Sequence, residues 1–352
     1  MELNYVGAPH APYIGGILRG LPAGLRYDEA TVGALLRRRA PGGAFSTARK
    51  EPDLPEVLSG IVDGATDGSP VEVRFRNVDT RPADYGEGDG SIPRPSHADY
   101  PAYVKSGGSA DLRGGGIWSG RMTAALTFFG GLCLPALREG GVTVGGHLLQ
   151  IGAALDTPFD PLTPGDVTAP GRKEFPTLSD ASAVSMQREI KAARAEGDSV
   201  GSAIELCACG LPVGLGEHPF GSVEATLSGY FWAIPGLKAV EFGDGRGFAS
   251  LHGSEAADGY RFAGERLALT SNHCGGIAGG MTTGAPLLVR LTFKPTPTIG
   301  KPLSTVNLKS GEEVTLRSAG RHDPCIGLRA LPAAEAALSL GLMELFIAEG
   351  AL

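Results

Sequence analysis

The chain has 352 residues, enough for one large domain or two ordinary ones, and 42% hydrophobic content with mixed charge describes a globular protein with a substantial core. A formal net charge of −7 argues against a general nucleic-acid footprint. The 54 glycines are far above the usual share, and they sit in short clusters between apolar runs, which suits tight turns or close backbone approach to a ligand.

The first residues, MELNYV, carry no basic stretch followed by an apolar run, so no signal peptide is expected and a cytoplasmic location is. Residues 28–39, DEATVGALLRRR, predict a helix that Asp28 caps and whose basic end suits the negative pole of its dipole. VEVRFRNV, from Val71, alternates as a half-buried strand should. The Gly- and Pro-rich stretch from Asp79 to Pro95 predicts a long loop that runs into RPSHADY, residues 94–100. The apolar stretch Ala124 to Leu137 is interrupted by glycines and a proline and is too short to span a bilayer, so no membrane association is expected. Ser179 to Glu196 predicts a second helix stopped by Gly197, followed by a strand from about Val200. In IELCACG, Cys207 and Cys209 face the same side of that strand. Lacking a second ligand pair, the cysteines read as reduced thiols and no metal is expected. Pro332 to Ala348 predicts a closing helix with Pro332 in its first turn.

Residues 60–75, GIVDGATDGSPVEVRF, align without a gap to residues 276–291, GIAGGMTTGAPLLVRL. The shared pattern is a glycine turn, a Thr-x-Gly-small-Pro corner and an apolar strand. It reads as an internal duplication, the alternative being two similar turns made alike by Gly and Pro alone. Duplicated halves would pack as layered sheets with helices outside and a cleft between them.

The cations are bunched: Arg37 to Arg39, then Arg49 and Lys50, then Arg113 and Arg121, then Arg321. On an acidic chain such clusters suit a small anionic ligand, with solvated surface charge the alternative for any one of them. Four segments combine glycine, cations and histidine: RPSHADY, RGGGIWSGR (113–121), SNHCGGIAGG (271–280) with KPTPTIGKP (294–302), and GRHDPCIGLR (320–329). Exposed backbone amides, low bulk and fixed charge are what a phosphate pocket needs. None has the context of a P-loop, a dinucleotide fingerprint or a serine-hydrolase elbow.

RPSHADYPAYVKSG, RGGGIWSGR, GLGEHPFGSVEATLSGYFWAIPGLKAVEFGDG, SNHCGGIAGGMTTGAP, KPTPTIGKP and GRHDPCIGLRALPAAEA, in this order, resemble the chorismate synthase family along nearly the whole chain. The resemblance implies an α+β fold, a β-α-β sandwich of two similar halves in a single domain over residues 1–352, as a homotetramer. It implies the anti-1,4-elimination of phosphate from 5-enolpyruvylshikimate 3-phosphate to chorismate. Reduced FMN is the implied cofactor, with NADPH or an external flavin reductase as the source of electrons. Carried over, His97 acts on the reduced flavin, His10 assists the departing phosphate and Asp323 helps remove the C6 proton. Arg39, Arg49, Arg94, Arg121 and Arg321 clamp the substrate's anionic groups. Flavin contacts fall at Ile117, Trp118 and Ser119, at Pro235 and Gly236, at Gly279, at Lys294, Pro295, Thr296, Pro297 and Thr298, and at Arg321. Family members carry G-E-S-H-G around the first histidine, whereas Gly7 to Ala11 reads GAPHA. The alternative function is therefore a flavin- or phosphate-binding homologue with weak or no turnover.

Overall fold

The computed structural model describes residues 1–46, 51–79, 91–217, 219–317 and 323–351. Arg49, Arg321 and most of the long loop expected from Asp79 lie outside the described residues.

The N-terminal half opens with strands β1 (Glu2–Gly7) and β2 (Tyr13–Arg19), then helix α1 (Glu29–Arg39). The Asp28 carboxylate accepts from the Ala30 and Thr31 amides, and three arginines end the helix, as the sequence predicts. There follow β3 (Glu56–Ser59), the short pair β4 (Ile61–Val62) and β5 (Ala65–Thr66), and β6 (Val71–Arg76), whose residues alternate between deep and partial burial. The sheet order is β1-β2-β6-β3. Helices α2 (Asp99–Ser106) and α3 (Thr123–Glu139) complete this half.

The C-terminal half contains β7 (Thr143–Ile151), β8 (Ala154–Leu155), α4 (Asp180–Ala195), β9 (Ser202–Cys209), α5 (Val223–Trp232), β10 (Leu237–Phe242) and the short α6 (Gly253–Ala256). The hairpin β11 (Tyr260–Ala263) and β12 (Arg266–Leu269), the pair β13 (Ile277–Ala278) and β14 (Met281–Thr282), and β15 (Leu287–Phe293) come next. A last hairpin, β16 (Leu303–Val306) and β17 (Glu313–Leu316), precedes α7 (Gly327–Ala348). The second sheet runs β10-β15-β9-β7-β8. Cys207 and Cys209 share one side of β9, their Sγ atoms 3.7 Å apart, and are free thiols.

Setting β7, β9, β15 and β10 against β1, β2, β6 and β3 gives the same strand order in both halves, with β8 added at one edge. The repeated segments are the β4–β5 turn leading into β6 and the β13–β14 turn leading into β15. Gly60 and Gly276 hold φ of 81° and 83°, and a Cβ on either would strike the backbone of Pro70 or Pro286. Only glycine fits there, which is why both copies keep it.

The layering differs from the one expected from the repeat. Helix α3 packs on β2 and β6, α7 packs on β7 and β9, and α3 and α7 pack on each other with α1 and α5 flanking. The helices thus lie between the sheets, as the β-α-β resemblance implies. The reason is that α3 and α7 are apolar on nearly every face, so neither has a polar side to turn to water. Helix α7, and α3 taken together with the turn before it (Gly120–Glu139), are long and apolar enough by length and composition to cross a membrane, and both are mostly buried here. They meet at Gly130, where a Cβ would stand 2.3 Å from the Ala336 carbonyl oxygen. Helix α7 also starts five residues earlier than expected, which places Pro332 inside it. The lost N–H at Pro332 is tolerated because tertiary packing, more than local propensity, holds this helix.

Candidate active site

A cavity of about 900 Å³ opens between the RPSHADY turn, the glycine turn at 114–122, the segment after α5, the segment after β15 and the start of α7. Its formation depends first on backbone geometry. Gly114, Gly115 and Gly116 take φ of 61°, 90° and 53° in succession, a run that side-chain-bearing residues adopt at high cost. That run carries Ile117, Trp118 and Ser119 into the cavity wall, with Ile117 57% and Trp118 42% exposed at its mouth.

His97 lines the cavity, and its Nε2 is hydrogen-bonded to Thr298 Oγ1. Arg94 is not in the wall. Its guanidinium donates to Asp99 at 2.7 and 2.8 Å and to the Leu112 carbonyl at 3.2 Å, so it locks the turn that presents His97. Burial alone would raise the Asp99 pKa, but the Arg94 hydrogen bonds and charge outweigh it and hold the carboxyl below its usual range.

Arg39 and Arg121 border the cavity with their guanidinium groups buried and engaged. Asp53 accepts from both, at 2.5 Å from Arg39 Nη1. Arg39 also donates to Thr123 Oγ1 at 3.1 Å and to the Gly120 and Arg121 carbonyls, while Arg121 faces Glu51 at 3.6 Å and Asn77 Oδ1 at 3.2 Å. Burial, partly offset by Asp53 and reinforced by Arg329 and Arg121, brings the Arg39 pKa down to about 10. Arg39 therefore stays charged at neutral pH, and both arginines already have carboxylates on them.

Asp323 lies in the wall beside Arg329, which donates to its Oδ2 at 2.6 Å. His10 does not line the cavity. Its ring nitrogens are shielded from solvent, and the ring lies against Gly114, where a Cβ would come within 2.8 Å of it. Gly114 itself lines the cavity, so the imidazole packs directly behind a residue of the wall.

Pro235, Gly236, Lys294, Pro295, Thr296 and Pro297 also line the cavity, and Thr298, outside the lining, joins this segment to His97. Gly279 sits in the β13–β14 turn and is not part of the wall. Lys294 donates to the Ser96 carbonyl; burial and then the charge of Lys238 lower its pKa. Motifs do not single out Tyr5, Trp232, Lys238 or Arg329, all of which line the cavity. Arg329 falls within the GRHDPCIGLR segment, but only a helix starting at Gly327 turns it toward Asp323. Tyr5 carries no motif signal. Burial pushes its pKa up to about 12, and neither its hydroxyl nor Thr296 Oγ1 has a hydrogen-bond partner among the described residues.

A family model described as chorismate synthase matches residues 1–347. The chain is 42% identical over 352 residues to the chorismate synthase of Aeropyrum pernix, covering 100% of this chain and 92% of that protein. It is 40% identical over 351 residues to that of Methanocella arvoryzae, covering 99% and 93%. A solved structure described as the crystal structure of chorismate synthase superposes with a TM-score of 0.76 at 24% identity, over 99% of this chain and 92% of that one, and so shares the fold.

Proposed function

The chain belongs to the chorismate synthase family, and from that premise we propose that this cavity eliminates phosphate from 5-enolpyruvylshikimate 3-phosphate to give chorismate. One observation carries the assignment to this cavity: His97, Asp323 and the Arg39–Arg121 pair, from four distant segments, meet in its wall. A proton leaves C6, phosphate leaves C3 with the bonding pair, and the ring gains a double bond without net oxidation.

Reduced FMN, when bound, would supply transient electron density for this elimination. The wall fits such a group. Tyr5 and Thr296 bring buried hydroxyls with no partner among the described residues, Trp118 and Trp232 bring exposed aromatic faces, and Lys238 and Lys294 bring charge for a phosphate. We assign the flavin surface to Ile117–Ser119, Pro235–Gly236 and Lys294–Thr298. His97 holds the charge state of the reduced ring, and Thr298 fixes its Nε2. Asp323 assists removal of the C6 proton. His10 is the candidate acid for the departing phosphate, and the Gly114 turn it packs against would have to shift to bring it within hydrogen-bond reach. Arg39 and Arg121, which border the cavity while their shared counter-ion Asp53 does not, contribute positive field. We extend the proposal to a cytoplasmic homotetramer whose flavin is reduced by NADPH or an external reductase.

The test is an anaerobic assay with chemically reduced FMN, followed by chorismate absorbance. Turnover is expected, and His97→Ala should lower it by about 10- to 10⁴-fold while oxidised FMN still quenches tryptophan fluorescence. That signal reports on the cavity because both tryptophans of the chain line it. No chorismate at saturating reduced FMN would leave a flavin- and phosphate-binding homologue.

A further inference from the structure

We propose that Arg329 is the positioning residue for Asp323, and that it acts by tying this carboxylate to the main chain of Arg39. The inference rests on the role given to Asp323 above. The guanidinium is held at two ends: Nη1 donates to Asp323 Oδ2 at 2.6 Å, and Nε donates to the Arg39 carbonyl at 3.1 Å. Arg329 stands in the first turn of α7, whose following turns are buried between the two sheets, so its Cα is fixed. The Arg39 carbonyl closes the last turn of α1, and the Arg39 side chain is anchored in turn by Asp53 and Thr123. Both side chains are largely shielded, Arg329 17% and Asp323 12% exposed, yet both border the cavity.

An aspartate that takes part in proton transfer must keep its oxygens within hydrogen-bond reach of the reacting group. Left alone it has two torsions to sample; here one oxygen is pinned by a planar fork rooted in two helices. Two of the three guanidinium nitrogens are thereby engaged within the protein. A lysine at this position would keep the charge but could not reproduce the planar two-way tie.

The experiment is a double-mutant cycle with Arg329→Gln and Asp323→Asn, read in two ways. In ligand-free protein, urea unfolding should show the two changes coupled, because each removes the same contact. In the anaerobic assay, Arg329→Gln should lower kcat by about 10- to 10²-fold, the scale expected for misplacing a reacting group. KM should stay within about twofold, as expected when no ground-state contact is lost. In the Asp323→Asn background the same change should add nothing. Arg329→Lys, which keeps the charge and serves if the glutamine variant fails to fold, should recover only part of the turnover. A rise in KM larger than the fall in kcat would make Arg329 a substrate clamp and overturn the inference. Additive losses, in stability and in turnover, would overturn it as well. Normal turnover in Asp323→Asn would remove both the role of Asp323 and this inference. Impaired Asp323→Asn with an uncoupled Arg329 would remove only the latter.

Discussion

Thr66 and Thr282 make the same pair of hydrogen bonds in the two halves of the chain. Thr66 Oγ1 donates to the Pro22 carbonyl at 2.6 Å and accepts from the Leu25 amide at 2.9 Å, and Thr282 Oγ1 does so with Pro212 and Leu215 at the same distances. The duplication therefore extends to LPAGL at 21–25 and LPVGL at 211–215, which the threonine of each repeat ties to its sheet. Both threonines are buried. Thr66→Val and Thr282→Val each leave a buried amide without its acceptor, at an expected cost of about 1–3 kcal/mol. The two share no partner, so urea denaturation of the double variant should give the sum. A large loss at one site and none at the other would mean that only one half depends on the tie.

Asp53 is the shared counter-ion of Arg39 and Arg121, and Asp53→Asn should destabilise the protein by about 3–5 kcal/mol, as expected when a buried ion network loses one partner. Inorganic phosphate should restore more thermal stability to the variant than it adds to the parent protein, because it can return negative charge near the two guanidiniums. Burial opposes ionisation of Asp53, yet Arg39 and Arg121 outweigh it and lower its pKa. Its contribution is thus present above the unfolded carboxyl value, about 3.9, and is lost as pH falls through the lower folded value. An acid limb of stability unchanged by Asp53→Asn would contradict this.

His147 is fully buried in the second sheet, with Nδ1 3.0 Å from Asp156 Oδ2 and Nε2 3.1 Å from Glu205 Oε2. Glu205 also accepts from the Phe159 amide and Arg290 Nε, and Asp156 from the Leu178 and Ser179 amides. With carboxylates at both nitrogens, the ring is expected as imidazolium. Burial disfavours that charge, but the two hydrogen bonds and two negative charges overcome it and raise the pKa. The His147 contribution is therefore complete below the unfolded value of about 6.5 and is lost as pH rises through the folded one. Thermal unfolding followed from about pH 6 to about pH 9 should show this decline, with His147→Gln flattening it. A decline of equal slope in the variant would assign it elsewhere.

Pro9 replaces the serine of the family's G-E-S-H-G and is buried beside His10. It brings no hydroxyl and no backbone N–H, and it restricts Ala8 to extended geometry. The turn is held by Asn77, which donates to the Ala8 and Ala11 carbonyls at 3.0 and 2.8 Å. Position 9 can fix His10 but cannot relay a proton. The combined change Ala8→Glu, Pro9→Ser and Ala11→Gly should raise turnover with little effect on FMN affinity. The deuterium isotope effect at C6 should be larger in the natural chain than in the restored one. Equal rates and equal isotope effects would show that the altered motif is harmless.

Features governed by near neighbours in the chain are legible from the order of residues alone. Asp28 marks the start of α1, alternation marks β6, and the Gly-Thr-Pro pattern marks two matching corners, because capping, strand burial and positive φ act over a few residues. The turn at His97 is legible too, as a motif. Where an arginine points is not. Arg94, beside His97 in sequence, meets Asp99 and turns inward, while Arg329 reaches the cavity because α7 starts before Pro332. Asp53 lies in an unremarkable KEPDLP stretch, and only packing sets it between Arg39 and Arg121. The position of α3 and α7 between the sheets is equally hidden, since a helix apolar on all sides has no period to reveal which neighbours will cover it. Desolvation and ion pairing depend on which distant groups packing brings within a few ångströms, and no local pattern encodes that.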